Sequence, residues 1–136
     1  MAPKRWYVAF VIAGGLVALG ACGSDDDAAT PTSSSSSVDP GQLPGAALYA
    51  QSCASCHGAD LRGTDKGPSH LSIVYEPNHH SDDSFRNAVA NGVGSHHWNF
   101  GDMDPVPSLS AEDVDAIIAY VRAVQTRDGF EPYPPE

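Results

Sequence analysis

Apolar residues along the chain form one uninterrupted run and two stretches with helical spacing. The run, 6–19, contains no charged residue. Near the C-terminal end, apolar side chains recur every three or four residues along one stripe: Val114, Ile117, Ile118, Val121 and Val124. Ser110 precedes this stripe at an N-cap position, with Asp113 where a capping box has its acidic residue. The pattern predicts a long amphipathic helix after Ser110.

A shorter helix is predicted earlier in the chain, beginning after Ser81 and ending near Gly92. Its apolar positions are Phe85, Ala88 and Val89. No part of the sequence shows the sustained alternation of apolar and polar residues that is typical of half-buried strands. The predicted fold class is therefore all-α.

The uncharged run near the N-terminus has the length of an export signal. Its 14 residues follow Lys4 and Arg5, and they fall short of the roughly 20 apolar residues that span a bilayer. It ends in Leu-Gly-Ala-Cys at 19–22, which resembles the lipobox of bacterial lipoproteins. The resemblance implies cleavage before Cys22 and attachment of lipid to its thiol. The alternatives are ordinary signal cleavage and an uncleaved anchor, with Cys22 incidental.

Residues 22–42 are predicted to be a flexible tether. The segment 23–41 is rich in serine and aspartate, and its one large apolar residue is Val38. Such a composition buries too little apolar surface to offset the entropy lost on ordering. The chain therefore divides into a signal peptide at 1–21, the tether, and a folded domain at 43–136.

Charge and cysteine content exclude two classes of protein. The 136 residues include 17 acidic and 7 basic side chains, a formal net charge of −10. A nucleic-acid-binding protein would need a basic face, and three cysteines cannot build a multi-disulfide scaffold. Residues 43–136 alone carry a net charge of −8, which predicts docking onto basic surfaces of partner proteins.

Cys53, Cys56 and His57 form the Cys-x-x-Cys-His pattern of covalent c-type haem attachment. Two thiols separated by two residues can reach the two vinyl groups of one porphyrin and form thioethers. The adjoining His57 then lies beneath the iron, where its Nε2 can bind. A zinc site would need two further well-spaced ligands, and a thioredoxin-like site would need a strand–helix–strand context. The pattern predicts one covalent haem c.

On these residues, the segment 45–125 resembles the single-haem class I cytochromes c. The stretch from Gly45 to Tyr49, leading into the haem motif, resembles the family's N-terminal helix, and Tyr120 matches the residue that packs against it. The resemblance implies a small helical bundle wrapped around the haem. It also implies that Gly45 lets the first and last helices approach closely.

The same resemblance implies the groups that support and complete the iron site. Pro68 lies eleven residues beyond His57, as in the family, where its carbonyl accepts the Nδ1–H of the histidine. Met103 stands where the family has the distal iron ligand, and a thioether there raises the reduction potential. Asp104 separates Met103 from Pro105, whereas in the family proline often follows the methionine directly.

Five further histidines leave alternatives open: His70, His79, His80, His96 and His97. Any of them could replace Met103 on the iron, with His96 and His97 the nearest contenders. The two adjacent pairs could instead bind Cu²⁺ or Zn²⁺ if their loops converge. Otherwise these histidines are solvent-facing loop residues or partners of the haem propionates. Trp98 could also contact a propionate through its indole N–H, or belong to the core.

Ligation by both His57 and Met103 leaves iron without an open position, so the chain is expected to be an electron carrier and not an enzyme. Its expected place is a respiratory chain outside the cytoplasm. There it would be anchored to a bacterial membrane by lipid alone, facing the periplasm or the cell exterior. Two other hypotheses stay open. One is a haem-based ligand sensor or small haem enzyme with a displaceable Met103, and the other is a histidine-rich copper- or zinc-binding protein.

Overall fold

The computed structural model describes residues 38–133. The predicted signal peptide, Cys22 and the tether up to residue 37 lie outside the described residues. The regular structure comprises α1 (Pro44–Ser52), α2 (Ala54–His57), α3 (Asp82–Asn91) and α4 (Ala111–Asp128), with 3-10 turns at Pro40–Gln42 and Ile73–Tyr75.

The described part of the chain contains two isolated β-bridges and no β-strand. The prediction of an all-α fold is therefore confirmed. No helix within 38–133 is both long enough and apolar enough to cross a membrane.

The last helix, α4, begins where the capping pattern predicts. The Ser110 hydroxyl accepts the backbone N–H of Asp113 at 3.2 Å, and the Asp113 carboxylate accepts the N–H of Ser110 at 3.0 Å. Gly129, with φ at +80°, follows the last residue of the helix. All five residues of the predicted apolar stripe are buried, so α4 presents that stripe to the core.

Helices α1 and α4 cross with their backbones in direct contact at Gly45. A Cβ added to Gly45 would lie 1.9 Å from the carbonyl oxygen of Ala116, so no other residue fits without moving the helices apart. One turn along α1, the ring of Tyr49 packs against Tyr120 with centroids 5.4 Å apart. The predicted close approach of the first and last helices is confirmed.

The segment between α2 and α3 packs against the same core. Its side chains Leu61 and Leu71 are completely buried against Tyr49 and α4. Arg122 of α4 holds the end of this segment, donating to the carbonyl oxygens of Tyr75 at 2.7 Å and His80 at 2.6 Å. These bonds fix the chain that enters α3, and with it one wall of the cleft described next.

Candidate cofactor site

A cleft of about 640 Å³ opens beside α2. Its volume lies within the roughly 300–1,000 Å³ typical of small-molecule and cofactor sites. Every site residue that the sequence predicts within 38–133 lines it: Cys53, Cys56, His57, Pro68, Trp98 and Met103. Apolar side chains of α3 and α4, among them Phe85, Val89 and Ile118, complete the walls. The fold thus brings predicted site residues up to 50 positions apart in sequence, Cys53 and Met103, to one cleft.

The short helix α2 brings the two thiols to one side. Cys53 and Cys56 are three residues apart on one helical turn, and the backbone N–H of Cys56 donates to the Cys53 carbonyl at 3.1 Å. Both cysteines are unpaired and half-buried. Burial, with a smaller contribution from Cys56, raises the pKa of Cys53 to about 11. A raised pKa disfavours the thiolate, which is the reactive form in redox-active Cys-x-x-Cys motifs.

His57 is oriented by a hydrogen bond to the loop that follows α2. Its Nδ1 lies 3.0 Å from the carbonyl oxygen of Pro68. A donating Nδ1–H leaves the Nε2 lone pair free to bind a metal. Burial lowers the pKa of His57, opposed by this hydrogen bond, so the neutral ring is favoured. Gly67 makes the approach of the loop feasible, because a Cβ there would lie 3.0 Å from the Cys56 carbonyl oxygen.

His70 packs face to face against His57 and is only 7% exposed. The two imidazoles stack with centroids 4.1 Å apart and planes 18° from parallel. Nδ1 of His70 is 3.3 Å from the Tyr49 hydroxyl, and its carbonyl oxygen accepts from Gln125 Nε2 at 2.7 Å. Burial holds the pKa of His70 well below its usual value, and the neighbouring His57 lowers it further.

The interpretation of His70 as a solvent-facing loop residue is therefore wrong. The loop after α2 folds back beneath His57 and turns the His70 ring into the aromatic core beside Tyr49 and Phe85. The signal available in the sequence is its position two residues after Pro68, where the chain must still run close to His57.

Met103 lines the same cleft from the loop between α3 and α4. It pairs with Val93 through two backbone hydrogen bonds of 2.9 Å, one in each direction. Gly92, with φ at +73°, allows this approach, because a Cβ there would lie 2.5 Å from the Met103 carbonyl oxygen. The extra residue Asp104 is exposed and leaves this pairing intact. The structure thus places Met103 on the cleft wall, and its bond to iron stays a prediction.

Trp98 and the two histidine pairs lie where the cleft meets solvent. The indole of Trp98 stacks on Tyr75, with centroids 5.9 Å apart and planes within 10°. It is half-buried and lines the cleft, and its contact with a propionate stays a prediction. The loops that carry the pairs do converge, since Nε2 of His79 lies 3.3 Å from Nε2 of His97.

The groups around the cleft fit a covalently bound haem. Two thiols on one helical turn, an imidazole with a free Nε2 and a thioether in the same cleft are the donors that c-type haem takes. The remaining walls are largely aliphatic and aromatic, as a macrocycle requires. Within 38–133, no buried polar side-chain atom lacks a hydrogen-bond partner, and this includes the residues that surround the apolar cleft.

Comparisons with known proteins lead to the same chemistry. The family model described as cytochrome c matches residues 43–125. The protein cytochrome c-551 of Bacillus subtilis (strain 168) is 35% identical to this chain over 79 residues, which cover 58% of this chain and 67% of that protein. The range matched by the family model contains both thiols, His57 and Met103.

Proposed function

The chain belongs to the cytochrome c family, and we propose that it carries single electrons outside the cytoplasm through an iron held by His57 and Met103. Haem c, bound covalently through Cys53 and Cys56, supplies the one-electron redox couple. The observation that carries the proposal is that His57 and Met103, from different parts of the chain, line the same cleft. Members of the family are typically electron carriers, and a carrier needs no substrate-binding position on iron.

His57 is suited to permanent ligation. The hydrogen bond from its Nδ1 to Pro68 fixes the ring and strengthens Nε2 as a donor. The ring of His70 stacks on it, so the imidazole has little freedom to rotate away. A ligand held in this way keeps the same geometry in the ferric and ferrous states, which favours fast electron transfer.

Met103 would complete the coordination with a neutral, soft thioether that raises the reduction potential. Its backbone is fixed to Val93, two residues beyond α3, by the paired hydrogen bonds. The loop is joined to α3 itself where Val106 donates to the Val89 carbonyl at 2.8 Å. These attachments support a methionine that stays on iron, as an electron carrier requires. A ligand sensor would need a methionine that leaves readily.

Ligation is tested by the absorption spectrum of the ferric protein. We expect a weak long-wavelength band from thioether bound to ferric iron, lost in Met103→Ala and in Met103→His. The assignment is unambiguous because the only other methionine of the chain is Met1. Met103→His is the matched control, since it keeps six ligands and low-spin iron while lowering the potential. A high-spin ferric spectrum of the unaltered protein would contradict the proposal.

The proposed location combines the lipobox-like segment ending at Cys22 with the acidic surface of residues 43–136. Lipid on Cys22 would hold the domain at a bacterial membrane, facing the periplasm or the cell exterior. The domain would there pass electrons from a quinol-oxidising donor to a terminal oxidase, reductase or dehydrogenase. Fractionation of cells tests the anchor: the native chain is expected with membranes, and Cys22→Ser in the soluble fraction. Equal distribution of both would contradict the anchor without affecting the haem assignment.

Docking is tested through the salt dependence of electron transfer. A net charge of −8 on residues 43–136 favours partners with basic surfaces and association that slows as salt screens the attraction. We therefore expect the bimolecular rate with a basic redox protein to fall between low and high ionic strength. A neutral small-molecule oxidant is the control, because its rate should stay constant.

A further inference from the structure

Three histidines from two separate loops meet at the rim of the cleft. His79 and His80 precede α3, and His97 lies in the loop that leads to Met103. Each offers one imidazole nitrogen, and the three nitrogens lie within 4.8 Å of one another. None of the three is used by the haem ligation proposed above, and together they are called the rim histidines here.

We propose that the rim histidines form a second metal site, which takes a divalent ion that prefers imidazole, Zn²⁺ or Cu²⁺. Imidazole is a favoured ligand of both ions. Nitrogens bound tetrahedrally at about 2.0–2.1 Å lie about 3.3 Å from one another. The separation between Nε2 of His79 and Nε2 of His97 is 3.3 Å, so this pair already has the spacing of two ligands on one ion.

The third ligand, His80, makes a hydrogen bond that determines which of its ring nitrogens is free to bind a metal. Nδ1 of His80 lies 2.7 Å from the carbonyl oxygen of Val74. With that nitrogen donating, the lone pair of His80 is on Nε2. A ligand histidine whose other nitrogen donates to a carbonyl is the usual arrangement around protein-bound metals. This hydrogen bond therefore gives His80 the tautomer that a metal ligand needs.

The backbone on both sides of the site is held by residues outside it. Arg122 of α4 donates to the carbonyl oxygen of His80 at 2.6 Å, and the Tyr133 hydroxyl donates to that of His97. Both loops are thus anchored before any ion arrives, which lowers the entropy lost on binding. The net negative charge of the domain also favours the approach of a cation.

A bound ion would join the segment before α3 to the loop that carries Met103. Three imidazoles supply three ligands and leave a fourth position of a tetrahedral ion to water. His96 is the natural comparison residue, because it adjoins His97 but is not a member of the cluster. Its Nδ1 lies 2.9 Å from the carbonyl oxygen of Gly94, and it is exposed.

The test is calorimetric titration of Zn²⁺ into the haem-loaded chain, purified without a polyhistidine tag. We expect one Zn²⁺ per chain, with affinity reduced at least tenfold in His79→Ala and in His97→Ala. The matched control His96→Ala should change the affinity less than threefold. His80 is kept, since the bond of its Nδ1 to Val74 supports the fold. Absence of saturable binding, or an equal loss in His96→Ala, would overturn the site.

Two further measurements keep the result interpretable. Far-ultraviolet circular dichroism and the Soret band must be unchanged in the variants, which shows that they fold and hold haem. Cu²⁺ is expected to displace Zn²⁺ from the native chain and to give an electron paramagnetic resonance signal with nitrogen hyperfine lines, absent in His79→Ala/His97→Ala. If the rim histidines serve the haem propionates instead, these variants shift the haem potential in metal-free buffer and leave Zn²⁺ affinity unchanged. That outcome would also overturn the proposal.

Discussion

The two walls of the cleft are built by different physical means. The proximal wall, residues 53–70, carries His57 on a helical turn that continues from α1 and rests on the buried rings of Tyr49 and His70. The distal wall, residues 93–109, is a loop whose residues are mostly exposed. Two backbone hydrogen bonds between Met103 and Val93 close this loop on itself, and the bond from Val106 to the Val89 carbonyl joins it to α3.

Because of this difference, substitutions in the two walls should affect different properties: the stability of the domain and the exchange of Met103 on iron. Burial of apolar side chains is worth about 25 cal/mol per Å², so a packed wall opens only with the whole domain. A net backbone hydrogen bond contributes only about 0.5–1.5 kcal/mol, so a loop held by a few of them opens locally. We expect changes at the proximal wall to unfold the protein, and changes at the distal wall to loosen Met103 first.

The largest effect is expected at the helix crossing that supports the proximal wall. Gly45→Ala places a Cβ against the Ala116 carbonyl and should lower the free energy of unfolding by about 3 kcal/mol. Guanidinium unfolding of the haem-loaded protein measures it. Gly94→Ala in the distal loop is the matched control, because its Cβ meets nothing within 4 Å, and it should change stability by less than about 1 kcal/mol. Similar losses in both variants would contradict the comparison.

A smaller effect, confined to the distal wall, is expected at Gly92. Gly92→Ala combines an unfavourable φ of +73° with a Cβ 2.5 Å from the Met103 carbonyl oxygen, which together should cost about 2 kcal/mol. The loop should loosen, so added imidazole should replace Met103 on iron at lower concentration.

Gly101→Ala separates the effect of backbone strain from the effect of a Cβ contact. Gly101 has φ at +94°, but a Cβ there meets nothing within 4 Å. Its substitution should therefore cost about 1 kcal/mol from the backbone alone and change imidazole binding less than Gly92→Ala does. If Gly101→Ala raises imidazole affinity as much, the Gly92–Met103 contact is not what holds the methionine.

The contact between His70 and Tyr49, beside His57, should give an energetic coupling between these two buried side chains. His70→Leu leaves the Tyr49 hydroxyl without its 3.3 Å partner and should cost about 2 kcal/mol, whereas removing both groups restores part of the loss. The double-mutant cycle with Tyr49→Phe is expected to give a coupling of about 1 kcal/mol. Strict additivity would mean that this contact does not stabilise the proximal wall.

The smallest effect is expected at the end of the distal loop, where α4 begins. Ser110→Ala removes the hydroxyl that accepts from Asp113 and should cost about 1 kcal/mol, whereas Ser110→Asp should retain most of the cap. Neither variant should alter the spectrum of the haem, because the capping box lies outside the cleft lining. A spectral change would show that the start of α4 also positions Met103.

Much of the fold follows from interactions between residues close in sequence. The stripe on α4 is buried as its spacing predicts, and the Ser110 cap forms as its side chain predicts. The helix predicted between Ser81 and Gly92 occurs as Asp82–Asn91. Periodicity and capping act within one or two helical turns, so they can be read without the rest of the molecule.

The site likewise has a part that local sequence predicts and a part that depends on tertiary packing. Cys53, Cys56 and His57 lie on a single turn, and the chemistry they predict needs no distant residue. The buried position of His70 depends on how the loop after α2 packs against His57. The residues next to His70 in sequence do little to predict that burial.

The sequence by itself determined the haem attachment, the helical class and the acidic surface of this protein, because each depends on composition or on spacing within a few residues. Only the tertiary structure decided that His70 supports His57 and that His79 and His97, eighteen residues apart, bring their Nε2 atoms to 3.3 Å. Contacts of that kind follow from the packing of loops against α4, through Arg122 and the buried leucines. Their geometry is a property of the whole domain, since no local pattern specifies which loops will meet.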